Sequence, residues 1–401
     1  MKKIILMTAC TAAVLFSGCS DNELASAGDG IGTSTQSAIG FHVVGNQTET
    51  RANIINSGNI TSTDFNVFAF TRKDDGTDGD VFMGEADKTN ELGHNGIKIV
   101  YKQNDWTYEN PSDIHYWPES TPLNFYAVSP GSFTDTDMFT HYGWEITQTT
   151  KTISYTSFDE YGSTSGKKNW DAMYAIAQNQ TKGTNNGKVK FTFKHILSQV
   201  VFKAKTQLEN MEVEINFIKI HNFKMGGTYT LPTTSTTEGA TEGTTEGETE
   251  GTTEGTTEGT WTLTPLTGHT PFTVGKDKVN ITVTSTGADI SVNSPMLFVP
   301  QTLTAWDAKK TKEEADKAGE SYLEINCKIK QNGVYLFGSA TGYDSLYVPF
   351  GTTWEQGKRY IYTLIFGGGY DDKAKPILQP INFEAEAEDW TTEATESDVT
   401  L

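Results

Sequence analysis

Apolar and polar residues alternate one for one along much of this chain, and that period of two constrains the fold more than any other feature. Val189-Lys190-Phe191-Thr192-Phe193, Met211-Glu212-Val213-Glu214-Ile215-Asn216-Phe217 and Val279-Asn280-Ile281-Thr282-Val283 all follow it, as does the run Leu323–Ile329 around Cys327. Successive side chains of a strand point to opposite faces, so each run reads as a half-buried strand with one face on a core and one in water. Phe65–Phe70, Leu123–Val128 and Tyr360–Phe366 are apolar in both phases and are expected to be central strands covered on both faces. Turn dipeptides (Asp75-Gly76, Pro130-Gly131, Asn186-Gly187, Asn332-Gly333) separate the runs. Short strands with frequent turns predict an all-β fold of antiparallel sandwich type, not βαβ units. After the N-terminal segment only one stretch, Ala305 to Gly319, reads as helical. It is dense in charge and lacks a wide apolar stripe, so a solvated excursion between strands is expected.

A length of 401 residues, 36% of them hydrophobic and 11% aromatic, supports real cores and about two domains. The formal charge of -20 excludes a nucleic-acid partner, whose phosphates this surface would repel. At the N-terminus, Lys2 and Lys3 precede an apolar run, Ile4 to Phe16, that is too short to span a bilayer as a helix. Ser17 and Gly18 before Cys19 then form a lipobox-like signal, with residues 1–18 removed and the Cys19 thiol carrying diacylglycerol. Residues 19–37 read as a flexible tether, beginning with Ser20-Asp21-Asn22-Glu23. Loss of Cys10 and lipidation of Cys19 leave Cys327 alone, so no intramolecular disulfide is expected. Its place in a strictly alternating run makes Cys327 a small core hydrophobe rather than a nucleophile.

The body is expected to divide into residues 38–186 and 187–401, the second interrupted by an acidic repeat loop at 233–260. The repeat itself is a tandem xTEG from Thr236 to Gly259, with nothing to bury and glutamates that repel one another, which is the composition of a disordered loop. Calcium binding is the competing reading; clustered Asp ligands are missing from it. The histidines lack ligand spacing. There is no HExxH, CxxC, Walker loop or GxSxG, so no metal, cofactor or catalytic site is expected. Trp106, Tyr108, Tyr116 and Trp117 form an aromatic group in an Asn/Asp/Pro-rich region. They either stack a sugar ring or cap the end of a sandwich, with Trp106, Tyr116 and Trp117 the candidate ligand contacts.

The order of segments resembles a known family. A lipobox and an early strand lead to Thr50-Arg51-Ala52, and Tyr116-Trp117-Pro118 leads into Phe125-Tyr126-Ala127-Val128-Ser129-Pro130. Asn169-Trp170-Asp171-Ala172-Met173-Tyr174-Ala175 and the Phe193-Lys194-His195-Ile196-Leu197-Ser198 core follow. Leu297-Phe298-Val299-Pro300-Gln301, Trp354-Glu355-Gln356-Gly357-Lys358-Arg359-Tyr360 and Asp389-Trp390 come last. This series resembles the fimbrillin family, the lipoprotein subunits of type V pili and their Mfa-like relatives. The resemblance implies two tandem transthyretin-like β-sandwich domains, no catalysis, a lipid anchor in the outer membrane, and assembly with other pilus subunits by strand exchange. It also implies that an arginine-specific protease cuts between Arg51 and Ala52, releasing a first strand at about Ala38 to Gly45. Read without the resemblance, Arg51 is a turn residue between strands. The acidic tail, Thr391 to Leu401, has little strand pattern, which fits a tip or accessory subunit better than a stalk. A surface lipoprotein that binds glycans or host ligands without polymerising is the other reading. Replacing Cys19 by Ala is expected to abolish incorporation of labelled palmitate; a variant that still takes up label overturns the anchor.

Overall fold

In a computed structural model, the residues described are 37–44, 59–84, 96–132, 141–157, 170–233, 259–265, 272–274, 281–291, 296–367 and 382–389. Cys19, Arg51, Ala52 and most of the acidic repeat lie outside them. The first strand, β1, is Gly40–Val44. It belongs to a nine-stranded sheet in the order Lys188–Thr192, β1, Asp105–Tyr108, Ile97–Lys102, Asp64–Arg72, Leu123–Ser129, Met173–Gln180 and Lys194–His195, with Asp78–Met83 added beside Asp64–Arg72. The order begins and ends on a single stretch of chain broken only at Phe193, so the sheet returns on itself. The core it wraps holds Phe41, Phe65, Val67, Ile99, Phe125, Val189 and Phe191.

The outer side of this sheet is covered by a second one, ordered Thr260–Leu263, Gly226–Thr230, Lys151–Thr156 and Tyr142–Ile146. Phe68, Phe70, Tyr126 and Val128 from the first pack there against Tyr142, Ile153, Tyr155 and Tyr229 from the second. The expected central strands are therefore present: every residue from Phe65 to Phe70 and from Leu123 to Val128 is buried. Tyr360–Phe366 differs. In strand Lys358–Phe366 the residues Tyr360, Tyr362, Leu364 and Phe366 are buried, while Ile361, Thr363 and Ile365 are only partly covered. The run is apolar in both phases, yet only one face meets a core.

The C-terminal sandwich places Ser198–Thr206, Lys358–Phe366 and Asn382–Asp389 in one sheet and Met211–His221, Tyr322–Gln331 and Val334–Phe337 in the other. Phe202, Ile218, Ile325, Phe350, Trp354 and Tyr362 fill the space between. Cys327 is fully buried there, and burial pushes its thiol up to about 12, the behaviour of an inert core residue. The helix is shorter than the charge pattern suggested, Lys312–Ala318. Thr311 and Glu314 form a capping box at its start, Gly319 ends it at φ 69°, and it buries Ala315 alone.

The expected division at 186/187 does not follow the strand pairing. Lys188–Thr192 and Lys194–His195 lie in the first sheet, and Gly226–Thr230 pairs with Lys151–Thr156. Tyr229, Leu231, Leu297 and Val299, all beyond the expected boundary, share one core with Phe68 and Tyr126. Periodicity assigns a residue to a face but not a strand to a neighbour, so these pairings are not readable from the alternation. A fragment ending at residue 186 lacks these returning strands. It is expected to show no cooperative thermal transition by circular dichroism where the full chain melts sharply; a cooperative melt of the fragment would show the returning strands to be dispensable.

Candidate functional site

Ile39, Phe41 and Val43 alternate with Gly40 and His42, and the structure seats the apolar set inward. Ile39 and Phe41 are each 1% exposed. The Phe41 ring lies 5.5 Å from Tyr108, 6.1 Å from Phe191 and 6.4 Å from Phe65, the spacing of packed aromatic clusters. Burying two such side chains contributes about 1.5–3 kcal/mol each.

The backbone of this segment is held on both edges. On one side β1 runs parallel to Lys188–Thr192 through five register pairs, Gly40↔Lys188 to Val44↔Thr192. On the other, Phe41 pairs antiparallel with Trp106. Ala38 forms an antiparallel bridge to Tyr116. Ile39 N–H donates to His115 O at 2.9 Å, and Trp117 N–H donates to Ser37 O at 3.0 Å. Lys188 Nζ and Asp105 Oδ2, 2.9 Å apart, join the two flanking strands. Both groups are well exposed, so the strap adds little stability.

The three aromatic residues proposed as ligand contacts all border this seat, but two of them are closed to solvent. Trp106 is 7% exposed, with its ring 5.0 Å from Phe65 and 5.3 Å from Tyr101. Trp117 is 5% exposed and its indole N–H donates to Gly187 O at 2.9 Å. Neither offers a ring face on which a sugar could stack, so the ligand-contact reading of Trp106 and Trp117 is corrected: they wall the slot that holds the first strand. Tyr116 alone is open, at 46%. The alternation Asp105-Trp106-Thr107-Tyr108 carries this outcome, since it places both aromatics in one phase, and both are buried. The buried Tyr108 phenol is pushed well above its ordinary value by desolvation.

Arg72 and Arg359 are built into strands. Arg72 ends Asp64–Arg72, with its N–H on Pro122 O and its guanidinium on Gly76 O, both at 2.9 Å. Arg359 is paired on both sides, with Gln199 and Glu388. His195 Nδ1 lies 2.9 Å from Oδ1 of the buried Asp171, the arrangement of a structural histidine. Among the described residues, no group of His, Cys, Asp and Glu could hold a metal ion, and no helix is long and apolar enough to cross a membrane.

Comparison with curated protein sequences gives no match. Among solved structures, a fimbrial protein from Bacteroides vulgatus superposes with a TM-score of 0.53 at 15% identity, covering 88% of this chain and 99% of that one. A protein described as a candidate for cell adhesion, from Bacteroides uniformis, has a TM-score of 0.43 at 14% identity over 88% and 99%. The tip fimbrial protein Mfa3 from Porphyromonas gingivalis, truncated at its C-terminus, has 0.33 at 9% over 85% and 97%. The first of these supports the sandwich fold. The model of the fimbrillin-like family matches residues 50–390, most of the chain. With that span matched, and the strand order in place around the seat of β1, the chain belongs to the fimbrillin-like family.

Proposed function

We propose that this chain is a fimbrial or adhesive surface subunit, exported as a lipoprotein through Cys19 and assembled by strand exchange after a cut between Arg51 and Ala52. The observation that carries the reading is the seat of β1. The strand precedes Arg51 in sequence, so a cut there leaves it attached to the body only by hydrogen bonds and buried side chains. Its departure would uncover the edge of Lys188–Thr192 and the apolar slot around Phe191 and Trp106. An unpaired strand edge beside an apolar slot recruits another strand. A donor from a neighbouring subunit would run parallel to Lys188–Thr192 and place apolar residues where Ile39 and Phe41 now sit. Such head-to-tail contacts do not close on themselves and so build filaments.

The choice of Arg51 among the three arginines has a physical basis. A protease binds its substrate as an extended segment, and backbone already paired in a sheet is protected from it. Arg72 and Arg359 are paired in this way. The role is structural rather than catalytic, and it locates the protein at the cell surface or in the fimbrium with other subunits as partners. A non-polymerising surface lipoprotein that binds a glycan or host ligand is the alternative; it no longer has Trp106 and Trp117 to rest on.

On cells, the mature chain is expected to begin at Ala52, and Arg51→Ala is expected to leave the precursor uncut and unassembled. Normal filaments from Arg51→Ala would remove the cleavage step. Phe41→Ala is expected to lower the stability of the uncut precursor by about 3–5 kcal/mol in denaturant titration, and to leave the cut body unchanged because the residue has departed with its strand. Equal destabilisation of both forms would show that β1 is retained.

A further inference from the structure

One sheet of the C-terminal sandwich turns a face away from its core, and the middle of that face is not built as an ordinary solvated surface. At one end, Glu212 and Glu214 stand opposite Lys330 and Lys328, the cross-strand charge pairs expected of a face in water. Beyond them the pattern changes to neutral polar groups. A register shift between Ile215 and Phe217 inserts Asn216 as an extra residue, so that Asn216 and Phe217 both lie beside Asn326, with Ser345 of strand Asp344–Pro349 on the far side. The next row holds Lys219, Glu324 and Tyr347.

These side chains form one relay across three strands. Asn216 Nδ2 donates to Asn326 Oδ1 at 2.8 Å, and Asn326 Nδ2 donates to Ser345 Oγ at 3.1 Å. The Ser345 hydroxyl donates to Glu324 Oε1 at 2.9 Å, and Glu324 Oε2 lies 3.0 Å from His221 Nε2. Each amide is thereby fixed in orientation but keeps one N–H, and the acceptors keep lone pairs. All five side chains are partly exposed. The result is a preset row of alternating donors and acceptors whose ordering entropy is already spent.

Aromatic rings stand at both ends of the row. At one, the Tyr343 hydroxyl donates to Glu214 and its ring lies under Lys328 Nζ at 4.1 Å. At the other, Trp306 packs on Tyr322 at 5.6 Å, and Lys312 Nζ sits 3.2 Å from the centroid of the Tyr347 ring. The floor between lies within the run from Tyr322 to Lys328, about 20 Å at ~3.4 Å per residue. Phe217 and Tyr347, half-buried, flank it. Lys219 and Lys312 rest on these rings, and each such contact at a surface is worth only about 0.5–1 kcal/mol, so the ammonium groups can swing aside and donate to a ligand. Lys219, Lys312, Lys328 and Lys330 are matched around this face by Glu212, Glu214, Glu324 and Asp316, which leaves no local excess of positive charge to hold an anion. The -20 charge of the whole chain repels acidic polymers as well.

Ring faces beside a fixed row of amide, hydroxyl and carboxylate groups, without net charge, match the alternating C–H faces and vicinal hydroxyls of a sugar. We propose that the floor formed by Asn216, Phe217, Glu324, Asn326, Ser345 and Tyr347 binds a neutral saccharide. The site is independent of β1 and of strand exchange, so a monomer should show it. The full chain carrying Cys19→Ala, to keep it in solution, would be screened on a neutral glycan array and the best glycan titrated calorimetrically. Asn326→Ala and Tyr347→Ala are each expected to weaken binding about tenfold or more with the melting temperature unchanged. Asn326→Asp, which keeps the shape but removes a donor, covers the case in which truncation disturbs the sheet, and it should weaken binding too. No neutral glycan bound, binding unaltered in all three variants, or recognition confined to acidic glycans or peptides would overturn the site.

Discussion

The parallel pairing of Gly40–Val44 with Lys188–Thr192 is the contact on which the first sandwich depends. Lys188–Thr192 is bonded to the rest of its sheet through β1, and β1 reaches Asp105–Tyr108 through the single pair Phe41↔Trp106. A strand that bridges two others is more consequential than one added to an edge, because its loss unpairs backbone on both sides and opens the core beneath. The same strand carries Phe41, which touches three other core aromatics. Backbone pairing and aromatic packing of the first sandwich thus draw on one segment.

A second constraint ties the two halves of the chain together. Gly226–Thr230 and Thr260–Leu263 return to the first half to complete its outer sheet, and Ser157 Oγ donates to Leu297 O across the junction at 3.1 Å. Lys151 then clamps the outer sheet onto the inner one. Its ammonium lies 2.6 Å from Asp78 and 4.7 Å from the centroids of both the Phe70 and Tyr126 rings. With both charges nearly buried, this pair has compensation from rings and carbonyl oxygens that an isolated buried ion pair would lack. The body is therefore braced between its halves.

Much of this was legible in the residues. Phe65–Phe70 and Leu123–Val128 read as doubly covered strands and are so. Cys327 read as a core residue from its alternation alone, and is one. The aromatic group around Trp106 was the part that misled, because an Asn/Asp/Pro-rich setting suggested exposure. Burial there is decided by the N-terminal segment lying across Trp106 and Trp117, a neighbour that no local pattern announces. Tyr360–Phe366 failed in the opposite sense: its second apolar face is only partly covered.

By itself, the sequence determined the period, and with it the strand class, the inward set Ile39 and Phe41, and the ordered segments that the family shares. Only the tertiary structure decided which strands are neighbours: that β1 pairs with Lys188–Thr192, that Gly226–Thr230 returns to the first half, and that Asn216, Asn326 and Ser345 meet on one face. The reason is physical. Side-chain alternation encodes the face a residue occupies, because burial depends on that side chain, whereas strands are joined by backbone hydrogen bonds that are the same for nearly every residue.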